Sequence, residues 1–420
     1  MKLPNGPEVP FKDALKFWVK LGFISFGGPA GQIAIMHKEL VERRQWIDEK
    51  SFLHALNFCM LLPGPEAQQL ATYIGWRLHK IKGGIVAGSL FVIPSIFFLL
   101  ALSYVYARYG KIGEVAAVLN GFKPVVVAVV VEAVIKIGKR SLKNYVHFAI
   151  AGFAFIGVQF FQVPFPLIVA IALVLGYLWS RKTRAESDEI EAATSASLPS
   201  RHHILKVIGA CLLLWVVPLA ASLLIYGRES VATKLYIFFT QAAFVTFGGA
   251  YAVLAYVNQA AIAAGWITAG QSVDGLALAE TTPGPLIMVL QFIGFMTGWQ
   301  NPGANDQTPY AIACALLVTF ATFLPSFLFV LSARPYLERL RENASLSGSL
   351  AFVTAAVVGV ILNLSLTFGT TVIRPASEIG TTALILTILA FVALYFLKID
   401  VLLVVLGGGA VGLGKHLLFE

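Results

Sequence analysis

Charge is scarce in this chain. Only 13% of its 420 residues are Asp, Glu, Lys or Arg, about half the share of a soluble domain. So few charges cannot cover a water-soluble globule of this length. Cysteine is scarcer still: Cys59, Cys211 and Cys314 stand apart in apolar contexts. That excludes a disulfide framework and a cysteine metal site, and leaves them as small buried residues. His37, His54 and His79 read as interfacial, and no histidine pair has metal-ligand spacing with a carboxylate partner. No phosphate loop or nucleotide motif is present, which excludes an ATP-driven pump. No nucleophile with a base is found either, so an intramembrane enzyme is disfavoured and no cofactor or metal is expected. The short alternating segments of a β-barrel are missing too.

What the chain does have is apolar length. It is 58% hydrophobic with a mean hydropathy of +0.79. Runs near 20 residues recur, the length that crosses ~30 Å of hydrocarbon. The expected fold is an all-α polytopic protein of the lipid bilayer. Thirteen segments lie near 17–36, 52–75, 84–107, 112–135, 145–162, 163–180, 204–227, 235–262, 273–298, 309–333, 348–368, 380–397 and 399–417. The first 16 residues, with proline, lysine and aspartate, do not read as a cleaved signal peptide. The formal net charge of +9 is expected to set orientation through basic loops rather than to bind nucleic acid. The charged, Ser- and Ala-rich stretch 181–203 reads as a flexible linker.

The chain also repeats itself. "FISFGGPAG" at 23 matches "FVTFGGAYA" at 244, "PGP" at 63 matches "PGP" at 283, and "VIPSIF" at 92 matches "FLPSFL" at 323. The matches come in the same order at nearly one offset. The expected organisation is a first unit at 1–180, the linker 181–203, a linking helix at 204–230 and a second unit at 231–420. Six segments plus one linking helix would invert the second unit relative to the first, an arrangement that recurs among secondary transporters.

Basic residues refine this. If all thirteen segments cross, the loop carrying Lys38, Arg43, Arg44 and Lys50 falls on the wrong side for the positive-inside rule. If the first two segments instead enter, turn and return, Lys and Arg divide 24 to 6 between the two faces. "FGGPAG" and "PGP" then become tips of re-entrant hairpins built from half-helices of about eleven residues, each reaching roughly mid-membrane. The alternative is full-length helices kinked by proline and glycine. Both place the N-terminus inside and the C-terminus outside.

Broken helices free backbone N–H groups, which with the helix dipole make an anion site, and glycine lets an anion approach closely. The candidate binding residues are therefore Gly27, Gly28, Pro29, Gly64, Pro65, Gly248, Gly249 and Gly284. Gln68 and Gln69 could donate to oxyanion oxygens, or could pair between helices. Lys123, in "NGFKPVVV" at membrane depth, reads as the cation for a dianion; the alternative is a lysine that snorkels or pairs with a carboxylate. Thr354 takes its place in the second unit. Glu66 and Glu280 flank the two "PGP" turns and are candidates to carry a coupling proton; Glu66 could equally serve as a helix N-terminal acid. Glu114 and Glu132 look structural, and Asn363 is a weaker candidate.

With those residues in place, the chain resembles the chromate ion transporter family. The resemblance is carried by "FGGPAGQIA" at 26–34, "LPGPEAQQLATYIGW" at 62–76 and "VIPS" at 92–95, with the echoes "TFGGAYA" and "TTPGPL". It covers both units and points to a long, two-domain member. It implies export of chromate from the bacterial cytoplasm across the inner membrane, chromate resistance, and driving by the proton motive force. Sulfate is the structural analogue of that substrate. Carried over by position, the family motifs fall on Gly27, Gly28, Pro29, Pro63, Gly64, Pro65, Glu66 and Gln68, with Gly248, Gly249, Pro283 and Gly284 in the second unit. That unit departs where Pro29 becomes Ala250 and Glu66 becomes Leu286. Oligomeric state is not specified; a homodimer is allowed and not required.

Overall fold

A computed structural model describes residues 9–184, 201–245, 247, 249–333, 344–374 and 380–419. These residues form sixteen α-helices and no strand. In the first unit they are α1 (Phe11–Ile24), α2 (Gly28–His37, extended by a wide turn at Lys38–Arg43), α3 (Glu49–Cys59), α4 (Glu66–Tyr109), α5 (Gly113–Ser141), α6 (Tyr145–Phe161) and α7 (Phe165–Arg184). The linking helix is α8 (Arg201–Tyr226). The second unit has α9 (Val231–Phe244), α10 (Ala250–Ala263), α11 (Ala269–Glu280), a short turn at Leu286–Met288 leading into α12 (Val289–Gln300), α13 (Gln307–Ala333), α14 (Ala344–Ile373), α15 (Thr381–Tyr395) and α16 (Val401–Phe419).

Among the described residues six helices have the length and hydropathy to cross a membrane. Large apolar side chains such as Phe97, Phe153, Phe160, Leu213 and Leu224 point outwards, while Gln32, Gln68, Gln69, Ser95 and Ser326 are buried. That is the reverse of a water-soluble protein and the arrangement a bilayer demands.

Four of the thirteen expected segments are each two helices. Those near 17–36, 52–75, 235–262 and 273–298 all divide at the Gly-Gly or Pro-Gly-Pro stretch. A hydropathy window cannot see such a break, because the residues on both sides stay apolar. The expected linker 181–203 is also trimmed. Residues 181–184 finish α7, 201–203 begin α8, and 185–200 lie outside the described residues.

Each divided segment folds back on itself. Continued in one direction, α1 and α2 would carry Phe17 and Arg44 roughly 36 Å apart. Instead the Arg44 guanidinium sits 5.1 Å from the Phe17 ring centre and 4.9 Å from that of Trp46, and Lys20 pairs with Glu39 at 3.9 Å. Burial works against the Glu39 carboxylate, but Arg43, Lys20 and Arg44 hold it below its ordinary pKa. The same return brings Arg77 Nη2 to within 2.9 Å of Ser51 Oγ, so α3 and the first arm of α4 also form a hairpin. In the second unit Phe238 meets Trp266, and Gly275 lies against the Phe292 ring.

The helix α4 turns sharply at His79 (φ −136°) and Lys80 (φ +58°). Its two arms then pack antiparallel, with Gly75 against Gly83, and Gly88 against Thr72 and Gln68. The second arm, 81–109, measures the protein's depth. It starts beside the bases of the first-unit hairpins. Ser95, about 21 Å along, touches the second-unit tip at Pro283. Tyr104, about 35 Å along, packs on Trp299 at the base of a second-unit hairpin. The two sets of hairpins therefore enter from opposite faces and meet tip to tip: the repeats are inverted.

Packing between the units is exchanged. The helix α5 packs on α15 and α16 of the other unit, and α14 packs on α6 and α7, while α5 crosses α14 and α4 crosses α13. Glycines set the close approaches: Gly121 lies on Gly408 and Gly412, Gly359 on Ala151, and Gly176 on Ser349.

The inverted hairpins make a labelling prediction. The native cysteines are all buried, so an introduced thiol can be read cleanly. Lys50→Cys and Lys82→Cys should react with an impermeant maleimide from one face of the membrane, and Asn305→Cys from the other. Reaction of Lys50→Cys and Lys82→Cys from opposite faces would mean that the first hairpins cross.

Candidate functional site

The two Pro-Gly-Pro turns are plugged. Each places its glycine at positive φ, +127° at Gly64 and +106° at Gly284, a region costly for residues with a side chain. Gly284 N donates to the Ser25 carbonyl at 2.7 Å. Gln32 Nε2 donates to the Gly284 carbonyl at 2.5 Å, and Ser95 Oγ donates to the Pro283 carbonyl. In the first unit Gln69 Nε2 donates to the Pro63 carbonyl at 2.7 Å. A Cβ on Gly64 would lie 2.6 Å from Ser326 Oγ, and one on Gly284 would fall on Ser95 Oγ. So each turn is seated against the serine of the "PS" motif in the opposite unit.

The two Gly-Gly tips are open. Gly27 (φ +83°) and Gly28 (φ +66°) lead into α2, and Gly249 (φ +88°) leads into α10. Neither helix has a side-chain cap. By contrast Asp48, Ser230 and Thr268 cap the helices that start at the hairpin bases. A Cβ on Gly28 or Gly249 would meet no atom within 4 Å, and the nearest side-chain atom to one on Gly27 is Asp400 Oδ2 at 4.0 Å. The first-turn N–H groups of a helix have no intrahelical partner. Here those of α2 and α10 start at half-buried glycines with space before them. Pro29, in the first turn of α2, has no N–H to lose and a backbone angle already set for a helix. Gly248 lies outside the described residues.

Carboxylates surround these tips. Glu280 is 5% exposed and accepts from the Tyr251 hydroxyl at 2.9 Å. Glu132 and Asp400 lie close enough to act on it electrostatically. Lys136 pairs with Glu132 at 2.7 Å. Glu66 is half-buried in the first turn of α4 and feels the charge of Arg140.

Lys123 is not at the tips. Its ammonium donates to Asn120 Oδ1 at 2.9 Å and faces Asp274 Oδ1 at 3.6 Å. Asp274 Oδ2 accepts from the Tyr106 hydroxyl at 2.9 Å. Tyr106 is eleven residues beyond Ser95 on α4, about 16 Å nearer the second-unit base. The lysine therefore lies between tip and base, beside the carboxylate its alternative reading allowed for. Thr354, its counterpart, bonds only along its own helix, so the second unit has no matching cation. Gln68 donates to Thr72 Oγ1 at 3.2 Å, and Asn363 donates to Gln159. The Oε1 atoms of Gln32, Gln68 and Gln69 are buried without a hydrogen-bond partner.

Sequence reasoning missed Gln32, Ser95, Ser326, Tyr251, Asp274 and Asp400. Gln32, Ser95 and Ser326 sit inside motifs already singled out, and Asp274 is an aspartate in an apolar run, a signal as strong as Glu280. Tyr251 and Asp400 had no local signal. Among the described residues no group of His, Cys, Asp and Glu could hold a metal ion. What the arrangement offers is helix-start N–H groups without side-chain caps, carboxylates matched in part by Lys136 and Arg140, and Lys123 displaced to one side, which suits binding and release of an anion rather than bond chemistry.

Comparison with known proteins agrees. The family model described as "Chromate transporter" matches residues 12–177 and 233–413, one stretch in each unit. A "Chromate transport protein" of Pseudomonas aeruginosa is 31% identical over 97% of this chain and 92% of its own length. One of the same description from Cupriavidus metallidurans is 26% identical over 97% and 94%. A "Probable chromate transport protein" of Synechococcus elongatus is 26% identical over 90% of each chain. No solved structure matches.

Proposed function

Because this chain belongs to the chromate transporter family, we propose that it carries chromate, or a like tetrahedral oxyanion, out of the bacterial cytoplasm across the inner membrane. Family membership makes it a membrane transport protein and not an enzyme. The observation that carries the substrate reading is the pair of uncapped helices, α2 and α10, one from each inverted unit, starting at half-buried glycines with open space ahead.

A dianion with four oxygens can take several such N–H donors at once, and the helix dipoles favour it. In this reading Gly27, Gly28, Pro29 and Gly249 form the central station. Gly64, Pro65, Gln68, Gln69 and Gly284 shape it from the plugged turns. Lys123 is a second station on the way out. The basic bases of the first-unit hairpins face the cytoplasm and raise the local anion concentration. Glu280, with Glu66 as the other candidate, takes a proton when the dianion binds. An inside-negative potential favours exit of negative charge by ~2.3 kcal/mol per charge per 100 mV; a proton leaving with the dianion offsets one of its two charges and still leaves a net outward drive. Export of this kind would confer chromate resistance.

Flux of chromate through the purified full-length protein in liposomes tests this, with imposed pH gradients and with sulfate as competitor. Saturable flux that sulfate inhibits and a pH gradient alters is expected. Flux that grows linearly with chromate and ignores pH would mark an anion channel instead. Saturable sulfate flux that chromate does not inhibit would move the substrate assignment to sulfate.

A further inference from the structure

Among the described residues Asp274 is the one buried carboxylate against the lysine, and it comes from the other unit. It is 4% exposed, and its Oδ1, 3.6 Å from Lys123 Nζ, has no hydrogen-bond partner. Its Oδ2 is tethered by Tyr106. The charged and titratable groups against it are Lys123 from α5 and Tyr106 from α4. The turn 286–288, α12 and the described part of α14, which also pack on α11, contain no titratable residue. The two tyrosines of α10 are engaged elsewhere, Tyr251 on Glu280 and Tyr256 on Phe165 and Phe238. The helix α16 contributes Lys415 and His416, which line a cavity of about 310 Å³ between α5, α15 and α16. Asn120, which accepts from Lys123, lines that same cavity.

A loose ion pair, linked through Asn120 to a cavity that also holds Lys415 and His416, is unlike a structural salt bridge. A bridge retained for stability closes its geometry and satisfies both oxygens. Here one oxygen is left to the lysine at more than bonding distance.

We propose that Asp274 is a resident counter-ion which the oxyanion must displace from Lys123, and whose return expels the anion towards the cavity lined by Asn120, Lys415 and His416. The proposal rests on the reading of Lys123 as an anion-binding cation. Asp274 is a positioning residue: it sets the charge available on Lys123 and does not touch the substrate. The displaced carboxylate stays tethered by Tyr106, so it is at hand when the anion moves on.

The test is a two-residue cycle in full-length protein, with KM and kcat for chromate in liposomes and Kd for chromate in detergent. Asp274→Asn keeps the shape and the Tyr106 contact but removes the competing charge. It should lower KM and Kd on the order of tenfold, the scale of one close charge contact, and lower kcat because release slows. Lys123→Gln should raise KM. Adding Asp274→Asn to Lys123→Gln should leave KM where Lys123→Gln put it, and this neutral pair remains measurable even if Asp274→Asn alone folds poorly. Asp274→Asn with an unchanged or raised KM would overturn the counter-ion proposal, as would a lowered KM that persists in the Lys123→Gln background. Lys123→Gln with an unchanged KM would instead overturn the substrate role of the lysine, a separate failure.

Discussion

Gly284→Ala is expected to reduce chromate flux to background. Two costs combine. A side chain at φ +106° carries a penalty of ~1–2 kcal/mol. The new methyl group would also occupy the position of Ser95 Oγ. Ser95 would have to leave the Pro283 carbonyl, and losing a buried hydrogen bond costs ~1–3 kcal/mol. The turn would shift as well, straining the bonds from Gly284 to Ser25 and Gln32 that tie the two tips together. Against a total stability of ~5–15 kcal/mol this is severe locally but need not unfold the chain. Because the obstacle is a named atom of the other unit, its removal should help. Ser95→Ala combined with Gly284→Ala should recover part of the flux, and only part, since the backbone penalty remains. The two changes are in contact, so their effects should not add. Flux, purified yield and melting temperature of the single and double variants decide it. Normal flux in Gly284→Ala, or no recovery on adding Ser95→Ala, would show that the tip is not held across the units in this way.

Glu280→Gln is expected to flatten the response of flux to a pH gradient. Glu280 and Glu132 are buried, and the exposed Asp400, which lies beside the open tip at Gly27, is close enough to act on Glu280. A dianion and an ionised Glu280 cannot occupy neighbouring positions at low cost in a medium that screens poorly. Binding the anion therefore calls for a proton on this group, and acidification of the binding side should speed wild-type loading. Glutamine keeps the size and can still accept from Tyr251, so the fold should survive. It no longer needs a proton, so the gradient loses its lever. If Glu280→Gln responds to pH as the wild type does, the same measurement on Glu66→Gln would find the group responsible. If neither variant changes the response, the coupling role leaves these turns altogether.

Much of this was legible in the residues. The breaks at "FGG" and "PGP" mark where hairpins turn, because glycine and proline interrupt apolar runs that have no other reason to stop. The offset between the copies gave the repeat, the odd number of segments between them foretold the inversion, and the basic loop at 38–50 foretold that α1 and α2 return. What escaped was whatever depends on partners remote in sequence. Ser95 and Ser326 lie in a repeated motif, but nothing local says that each seats the turn of the other copy. Lys123 looked central because it is central in its apolar run. Its true depth is set by where α5 begins at Gly113 and by α11 descending from the opposite face. Half-helices were legible at the glycine-proline breaks, as one of two readings, because hydropathy alone runs on across each break and cannot choose between a hairpin and a kink.

The exchanged packing has a consequence for how the protein is made. The glycine face of α5 at Gly121 meets Gly408 and Gly412 of α16, a helix translated long after it. For most of translation, then, an early helix waits in the bilayer with its closest neighbour not yet synthesised. Either half produced alone would insert but could not finish itself. The earlier helix is enclosed only once the nineteen-residue α16 has followed it into the bilayer and closed over it like a clasp.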